Sequence, residues 1–519
     1  MATGRRTTTA PCGPLLQKRG KECTRESLRS ACISTEPQPS SVYGEIDNMP
    51  CVLDSISFHS SPLTWLTKLY DHQLVVLTSD AEHANTREAL EGVLLFGPRH
   101  IRTVLLDEAV FQTMKSESMR SLSRNGLEPF AKSIFSMTGT QHSHRRELLG
   151  KAITAALRSS FPDIIAASDS LIASWSIGSC FSLLGEMRRL ALTAMTPLLF
   201  GQGSSDRFLV GLQIQRLFSA RQAFHAHPNE SNARRIQLLA HSASAAIHQA
   251  LKDARRGHGH AVLDALSRGS DENGRPITSV EVISQVNGLV LASCEPIAVL
   301  LSWALLCLSQ LPPLVRLMHD EAKRASKDLT SNRRPFSYID SFIAEVTRLF
   351  PPNAIVARTA TQDSEIDDVR IKADCGILLS PWAEQRNRQN FSKPASLILG
   401  RRLRARCLSS IDLLAFGLGP RFCLGKHVAL SVASVILHKI LSRFGVQLAT
   451  EQEIGWRINI TFHPYPDPLV QLCSPRTTEM VSWRGPITQI VSLNDWDREV
   501  PANRRLRTGY SYSAGHIDR

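Results

Sequence analysis

No run of apolar residues within positions 1–44 approaches the roughly 20 that a membrane-spanning helix needs, so no amino-terminal anchor is expected. The longest apolar stretch, 280–311, carries Asn287, Glu295 and Pro296 and ends at Pro312-Pro313. That excludes a span and predicts a long buried helix. The 11 cysteines show no paired zinc spacing and follow no secretory signal. Free thiols in a reducing compartment are therefore expected, not a disulfide framework or a structural zinc. Basic motifs interleaved with aromatics are absent, so the formal charge of +13 does not indicate nucleic acid as a partner. Repeats and a second catalytic module are absent too. With 43% hydrophobic and 21% charged residues, the 519-residue chain reads as an ordinary globular protein, long enough for one large domain.

The most specific stretch runs from Phe416 to Gly425, Phe-Gly-Leu-Gly-Pro-Arg-Phe-Cys-Leu-Gly, and an apolar helical pattern from Val428 to Leu441 follows at once. It presents Cys423 at the mouth of a buried helix, where backbone N–H groups and the helix dipole favour a thiolate. Gly419 and Gly425 allow the close backbone approach that wrapping a bulky cofactor requires. Arg421 supplies a fixed positive charge for an acidic group on such a cofactor. The plain alternative is a structural cysteine in a Gly-rich turn.

The intact pattern Phe-x-x-Gly-x-Arg-x-Cys-x-Gly closely resembles the haem-thiolate signature of the cytochrome P450 family. The resemblance implies a mainly α (α+β) fold of one large helical domain with small sheets. It also implies haem b, with Cys423 as the axial ligand of its iron. Phe416, Gly419, Arg421 and Gly425 would then belong to the haem loop. His142 and Arg146 lie four apart at a helix start and so share one face. The family pattern places such a pair, and an arginine at the position of Arg358, on the haem propionates. A metal site of His142 with His144 lacks a third ligand nearby.

In the central helix the family text Ala/Gly-Gly-x-Asp/Glu-Thr stands here as Ala292-Ser293-Cys294-Glu295-Pro296. The acid is kept and the threonine is lost to proline, which removes a hydroxyl and a backbone donor and predicts a kink. Glu295 is a buried carboxylate in need of a task or a partner. The resemblance makes it the proton-delivering acid, with Ser293 or water replacing the missing hydroxyl. Glu345 and Arg348, three apart on a helix ending at Pro351-Pro352, match the family's Glu-x-x-Arg. Arg401, seven after Pro394, completes a buried structural triad in a looser match, since Leu397 replaces an aromatic.

Strand text at 74–77 and 93–96, a short helix at 99–106, and strands near 357–360, 369–372 and 376–379 fill in the small sheets. Residues 456–462 and 469–472 resemble the closing hairpin. The expected organisation is a disordered or targeting-like extension at 1–44, the haem-thiolate domain at 45–476 and a polar, Arg-rich extension at 477–519.

The implied function is a monooxygenase that oxidises a lipophilic small molecule with O2 and NADPH electrons from a separate flavoprotein reductase or ferredoxin. The basic surface suits an acidic electron-transfer partner or anionic lipid. Alternatives are a peroxide-rearranging isomerase or dehydratase, which could dispense with the threonine, and a non-catalytic haem-binding protein. The reading places the chain in secondary metabolism, as a eukaryotic, fungal-like member. Its location is expected to be intracellular: cytoplasmic, peripheral at the endoplasmic reticulum, or imported into mitochondria. Substrate contacts are expected in 113–135, around Leu291 and Pro296, at 353–356 and at 462–464.

Overall fold

The structure, a computed structural model, describes residues 51–54, 62–68, 74–78, 92–113, 132–201, 205–226, 229–256, 261–325, 337–366, 369–401, 414–458 and 461–498. Expectations for 1–44 and for most of 113–135 lie outside the described residues.

The helices are α1 (Pro62–Lys68), α2 (Pro98–Leu106), α3 (Gly139–Ala173), α4 (Leu183–Phe200), α5 (Ser205–Ala226), α6 (Glu230–Arg256) and α7 (Val262–Arg268). They continue with α8 (Ser279–Ser309), α9 (Pro312–Arg324), α10 (Ser337–Leu349), α11 (Pro381–Glu384), α12 (Lys426–Leu441) and α13 (Ile487–Ile490). The fold is mainly helical with small sheets, as expected.

The core is built around α8. Thr278 caps it, its hydroxyl accepting from the Glu281 N–H at 3.2 Å, and the helix runs unbroken through Pro296 to Ser309. Apolar residues on nearly every side let α4, α10 and α12 all pack against it. Trp303 anchors its C-terminal half, stacked on Phe350 at 4.3 Å and donating its indole N–H to the Phe462 carbonyl at 2.9 Å. Among the described residues one helix, α8 itself, is long and apolar enough to cross a membrane, and 78% of its most apolar window is buried inside the protein. Beside it, α4 starts where Asp467 accepts the Leu184 and Gly185 N–H groups at 2.7 and 3.1 Å, an anion on a helix N-terminus.

A six-stranded sheet runs in the order Cys51–Asp54, Leu74–Thr78, Gly92–Leu95, Gly376–Leu379, Val356–Ala360, Phe111–Thr113. Gly92–Leu95 lies antiparallel to Leu74–Thr78 and parallel to Gly376–Leu379. Val93, Leu94 and Leu95 are all fully buried, so both faces of this strand are covered. The amphipathic helix α2 lays Ile101, Val104 and Leu105 on the sheet. Burying three such side chains stabilises the contact by roughly 1.5–3 kcal/mol each and fixes where the chain after Leu106 emerges.

Two expectations change partner. Residues 455–458 do form a hairpin, but with Phe462–Tyr465, while Leu469–Cys473 pairs with Gly445–Leu448 and Cys180–Ser182. Alternation marks a strand; it does not say which edge the strand will meet. The polar text after 477 is also in part pinned down. Ile487 is fully buried, and the Ser492 N–H donates to Ala395 O at 2.9 Å. The Leu397 N–H returns to Ser492 O at 2.9 Å, and Asp495 pairs with Lys393 at 2.6 Å. Sparse apolar residues spaced along a polar strap gave no periodic signal.

Candidate haem-thiolate site

The Cys423 loop is drawn tight by the Cys423 N–H donating to Phe416 O at 2.8 Å. The Gly425 and Lys426 N–H groups bond the sulfur, and Arg146 and Lys426 add positive charge. These effects hold the thiol down, as the sequence anticipated, but burial outweighs them and pushes Cys423 above its ordinary value. The helix start alone does not make the thiolate; a bound metal would. Gly425 lies beside the sulfur, its Cβ position 3.9 Å from Sγ. Gly419 has another task. At φ +70° a Cβ there would sit 2.4 Å from Leu105 O, so this glycine lets the loop dock on the end of α2. The Phe416 ring lies under the Lys426 ammonium at 5.9 Å.

Four expected cofactor-binding residues converge near this loop. His142, only 2% exposed, is lowered to about 4, first by burial and then by Arg421, against the pull of Glu108. Arg146 is held below the usual guanidinium range by burial and by Arg421, and raised by Cys423, which places it near the sulfur. Arg358 is lowered to about 10, again by burial first and Arg421 second. Their engagement differs. Arg146 makes no hydrogen bond or ion pair with the described residues, and Arg358 donates only to Ala357 O at 2.9 Å. Arg421 is taken up by protein: it bonds Glu108 through Nε at 2.6 Å, Ile134 O at 3.2 Å and Met137 O. Glu108 carried no sequence signal, because its partners lie about 30 and 300 residues away.

Glu345 and Arg348 are fully buried and pair twice, at 3.0 and 2.9 Å. Arg348 also donates to Gln385 O, Pro394 O and Ser396 O. Arg401 Nε approaches Glu345 at 3.6 Å. The group is tied to the cysteine loop through Gln385, which donates to Arg348 O at 3.0 Å and accepts the Ala415 N–H at 3.2 Å.

Between Val282 and Ser309 on α8, only Leu289, Leu291, Ala292, Ser293 and Pro296 are not buried. Leu289, Ala292, Ser293 and Pro296 fall on one face. An accessible stripe thus lies midway along a core helix that packs on α12. Glu295 points elsewhere, about 120° round the helix at ~100° per residue. Arg188 on α4 grips it through Nε at 2.8 Å and Nη2 at 2.5 Å, and the Thr461 hydroxyl donates to it at 3.5 Å. A cavity of about 10 Å³, room for one water, adjoins it beside Arg188, Gln215 and Leu291. The Ser293 hydroxyl bonds back to Val290 O at 3.3 Å. The described residues contain no cluster of three His, Cys, Asp or Glu for a metal ion.

An apolar accessible stripe, a one-thiol loop at the start of a helix packed on α8, and one buried and one half-buried arginine short of carboxylate partners fit a flat, dianionic, iron-bearing group. Haem b has that chemistry: Cys423 would hold its iron, and Arg146, Arg358 and His142 its two carboxylates. Fold and site together define a haem-thiolate protein.

The comparisons agree. The sequence matches the family described as Cytochrome P450 over residues 92–466, and the chain belongs to that family. It is 23% identical to the pentalenene oxygenase of Streptomyces avermitilis, over 69% of this chain and 82% of the relative. It is 23% identical to the cyclooctat-9-en-7-ol 5-monooxygenase of Streptomyces melanosporofaciens, over 73% and 85%. Among solved structures, a retinoic-acid-bound cyanobacterial CYP120A1 aligns with TM-score 0.69, at 18% identity, over 82% of this chain and 99% of that one. The protein is a cytochrome P450 monooxygenase, an oxidoreductase that binds haem b.

Proposed function

We propose that this monooxygenase oxidises a lipophilic terpenoid intermediate of secondary metabolism, with electrons from a separate NADPH-dependent flavoprotein reductase or ferredoxin. The carrying observation is the accessible stripe on α8, whose only side-chain polar group, Ser293, is turned back on its own helix. Such a face recognises hydrocarbon by shape and offers no polar anchor. The two relatives named for terpenoid-type oxidation support the class. They are bacterial and do not support the eukaryotic, fungal-like placement.

Bound haem supplies the oxidation chemistry; the chain binds, orients and controls protons. In our reading Cys423 ligates the iron, and Arg146, Arg358 and His142 hold the carboxylates. Arg421 contributes to that cradle from behind, while Phe416, Gly419 and Gly425 shape the loop. The triad of Glu345, Arg348 and Arg401 braces it. Glu295 is the proton-delivering acid, and it must loosen from Arg188 to serve; the Thr461 hydroxyl, already on Glu295, joins Ser293 as a substitute for the threonine lost at Pro296. The haem domain spans 45–476, with 1–44 and 477–519 as extensions, the latter strapped back over its first half. Free thiols at the described cysteines suit an intracellular location, cytoplasmic or peripheral on a membrane, with mitochondrial import as the other destination read from 1–44.

The loss of a helical hydroxyl at Pro296 favours one second reading, rearrangement of a peroxide substrate. Reconstitution with reductase, NADPH and a sesquiterpene hydrocarbon tests both. Hydroxylated product that requires NADPH upholds the first; product only from added hydroperoxide overturns it in favour of the second.

A further inference from the structure

The turn after α2 places one carboxylate, Glu108, among the cations that face the haem loop. Arg421 Nε and Nη2 reach its Oε1 at 2.6 and 2.5 Å, and His142 Nδ1 lies 3.8 Å from Oε2. Of the five N–H groups of Arg421, Nε–H donates to Glu108, one on Nη2 to Met137 O and one on Nη1 to Ile134 O, while Nη2 also lies against Glu108 as an ion pair. Two remain. Arg358 has spent one and Arg146 none.

The segment that Arg421 holds is itself bound to α8: Lys132 N–H donates to Ser284 Oγ at 2.8 Å and Ile134 N–H to Gln285 Oε1 at 2.9 Å. Phe135 follows, its ring lying where a Cβ on Gly288 would come within 3.1 Å. Arg421 is thus a post between the cysteine loop and the segment roofing α8.

Resting on the haem-thiolate reading, we propose that Glu108 is a positioning residue for the cofactor. It ties Arg421 to the 132–137 segment and leaves Arg146 and Arg358 as two cations for the two haem carboxylates. Three guanidinium groups less one carboxylate leave a net charge of about two, matching a dianion. His142, held neutral near physiological pH, does not disturb that balance. Without Glu108 the cradle gains one positive charge and Arg421 swings free. Both effects favour the electron-richer, reduced iron.

The test uses haem-loaded parent, Glu108→Gln, Glu108→Asp, Arg146→Ala and Arg358→Ala. Three properties are measured: the ferric–ferrous potential, the rate of haem release to an excess of a haem-scavenging apoprotein, and the thiolate spectrum. The expected result is a more positive potential in Glu108→Gln, with a stronger dependence on ionic strength, and a value near the parent's in Glu108→Asp. Arg146→Ala and Arg358→Ala should release haem about tenfold faster or more, the scale of one charge-assisted hydrogen bond. An unchanged potential in Glu108→Gln, or equal shifts in the Gln and Asp variants, overturns the proposal. If Glu108→Gln fails to retain haem, the Asp variant decides by the same comparison with the parent. A parent without the thiolate spectrum refutes the haem-thiolate reading itself, a separate outcome from a normal parent with an unresponsive Glu108.

Discussion

Replacing Glu345 with alanine should destabilise the protein more than any other single truncation of a charged side chain described above. The carboxylate accepts two N–H groups of Arg348, at 3.0 and 2.9 Å, and the Ile398 N–H at 3.2 Å, with both side chains fully buried. Breaking a buried pair by removing one partner costs about 3–5 kcal/mol. Arg348 keeps three backbone carbonyl acceptors, which moves the figure toward about 3 kcal/mol, and the stranded Ile398 N–H adds roughly 1 kcal/mol. For a domain of ~450 residues, with an unfolding entropy of ~2 cal/mol/K per residue, about 4 kcal/mol lowers Tm by about 4 °C. The assay is thermal unfolding of purified protein, followed by tertiary circular dichroism and haem absorbance together. Haem content should fall in parallel, because Gln385 links Arg348 to Ala415 beside the cysteine loop. Glu147→Ala, which removes the exposed pair with Lys151, is the control and should leave Tm unchanged. Adding Arg348→Met to Glu345→Ala should recover part of the loss, since the stranded charge goes with it. A Glu345→Ala midpoint equal to that of Glu147→Ala refutes the reasoning.

Cys423→Ser should abolish the red-shifted ferrous–CO band of sulfur ligation, while Cys375→Ser leaves it; survival of the band in Cys423→Ser removes that cysteine from the site. Glu295→Gln should cut coupled product formation by about 10²-fold, the scale of general acid catalysis, with haem content retained, and full activity in that variant excludes Glu295 as the acid. Because His142 is pushed below its ordinary value of 6.5 to about 4, the unfolded chain binds its proton more readily. Its contribution to stability is therefore full above pH 6.5 and erodes as pH falls toward 4. His142→Asn should flatten the decline in Tm across that window, and parallel curves for variant and parent would contradict the assignment. Gly419→Ala, placing a Cβ 2.4 Å from Leu105 O at φ +70°, should weaken docking of the haem loop on α2 and lower haem retention, with Gly274→Ala, unobstructed at φ +77°, as the strain-only comparison.

The fold was legible because its signals are local. The Cys423 loop and the all-round apolar pattern of α8 each specify an element without reference to the rest of the chain. Glu345 and Arg348 were readable as a pair because helical spacing brings them together, and Arg401 because its distance from Pro394 is fixed. The pairings that cross the chain were not readable. Arg188 on Glu295, Glu108 on Arg421 and the strand partners of Leu469–Cys473 are made by packing, and no spacing in the sequence encodes them. Arg421 shows the limit most clearly. Its motif position marked it as a cation for the cofactor, but nothing in that position foretold its bonds to Glu108 and two backbone carbonyls.

The strap at 483–496 has a mechanical consequence. Ser492 exchanges backbone bonds with Ala395 and Leu397, and Asp495 grips Lys393 and Ser396, in the same short loop whose Pro394 and Ser396 carbonyls receive Arg348. A pull on the carboxyl-terminal end, from a surface tether or a fused domain, would load these few bonds in shear and reach Arg348 before the core helices. A tag or electron-donor fusion at that end therefore belongs on a slack linker long enough to keep such tension from the loop.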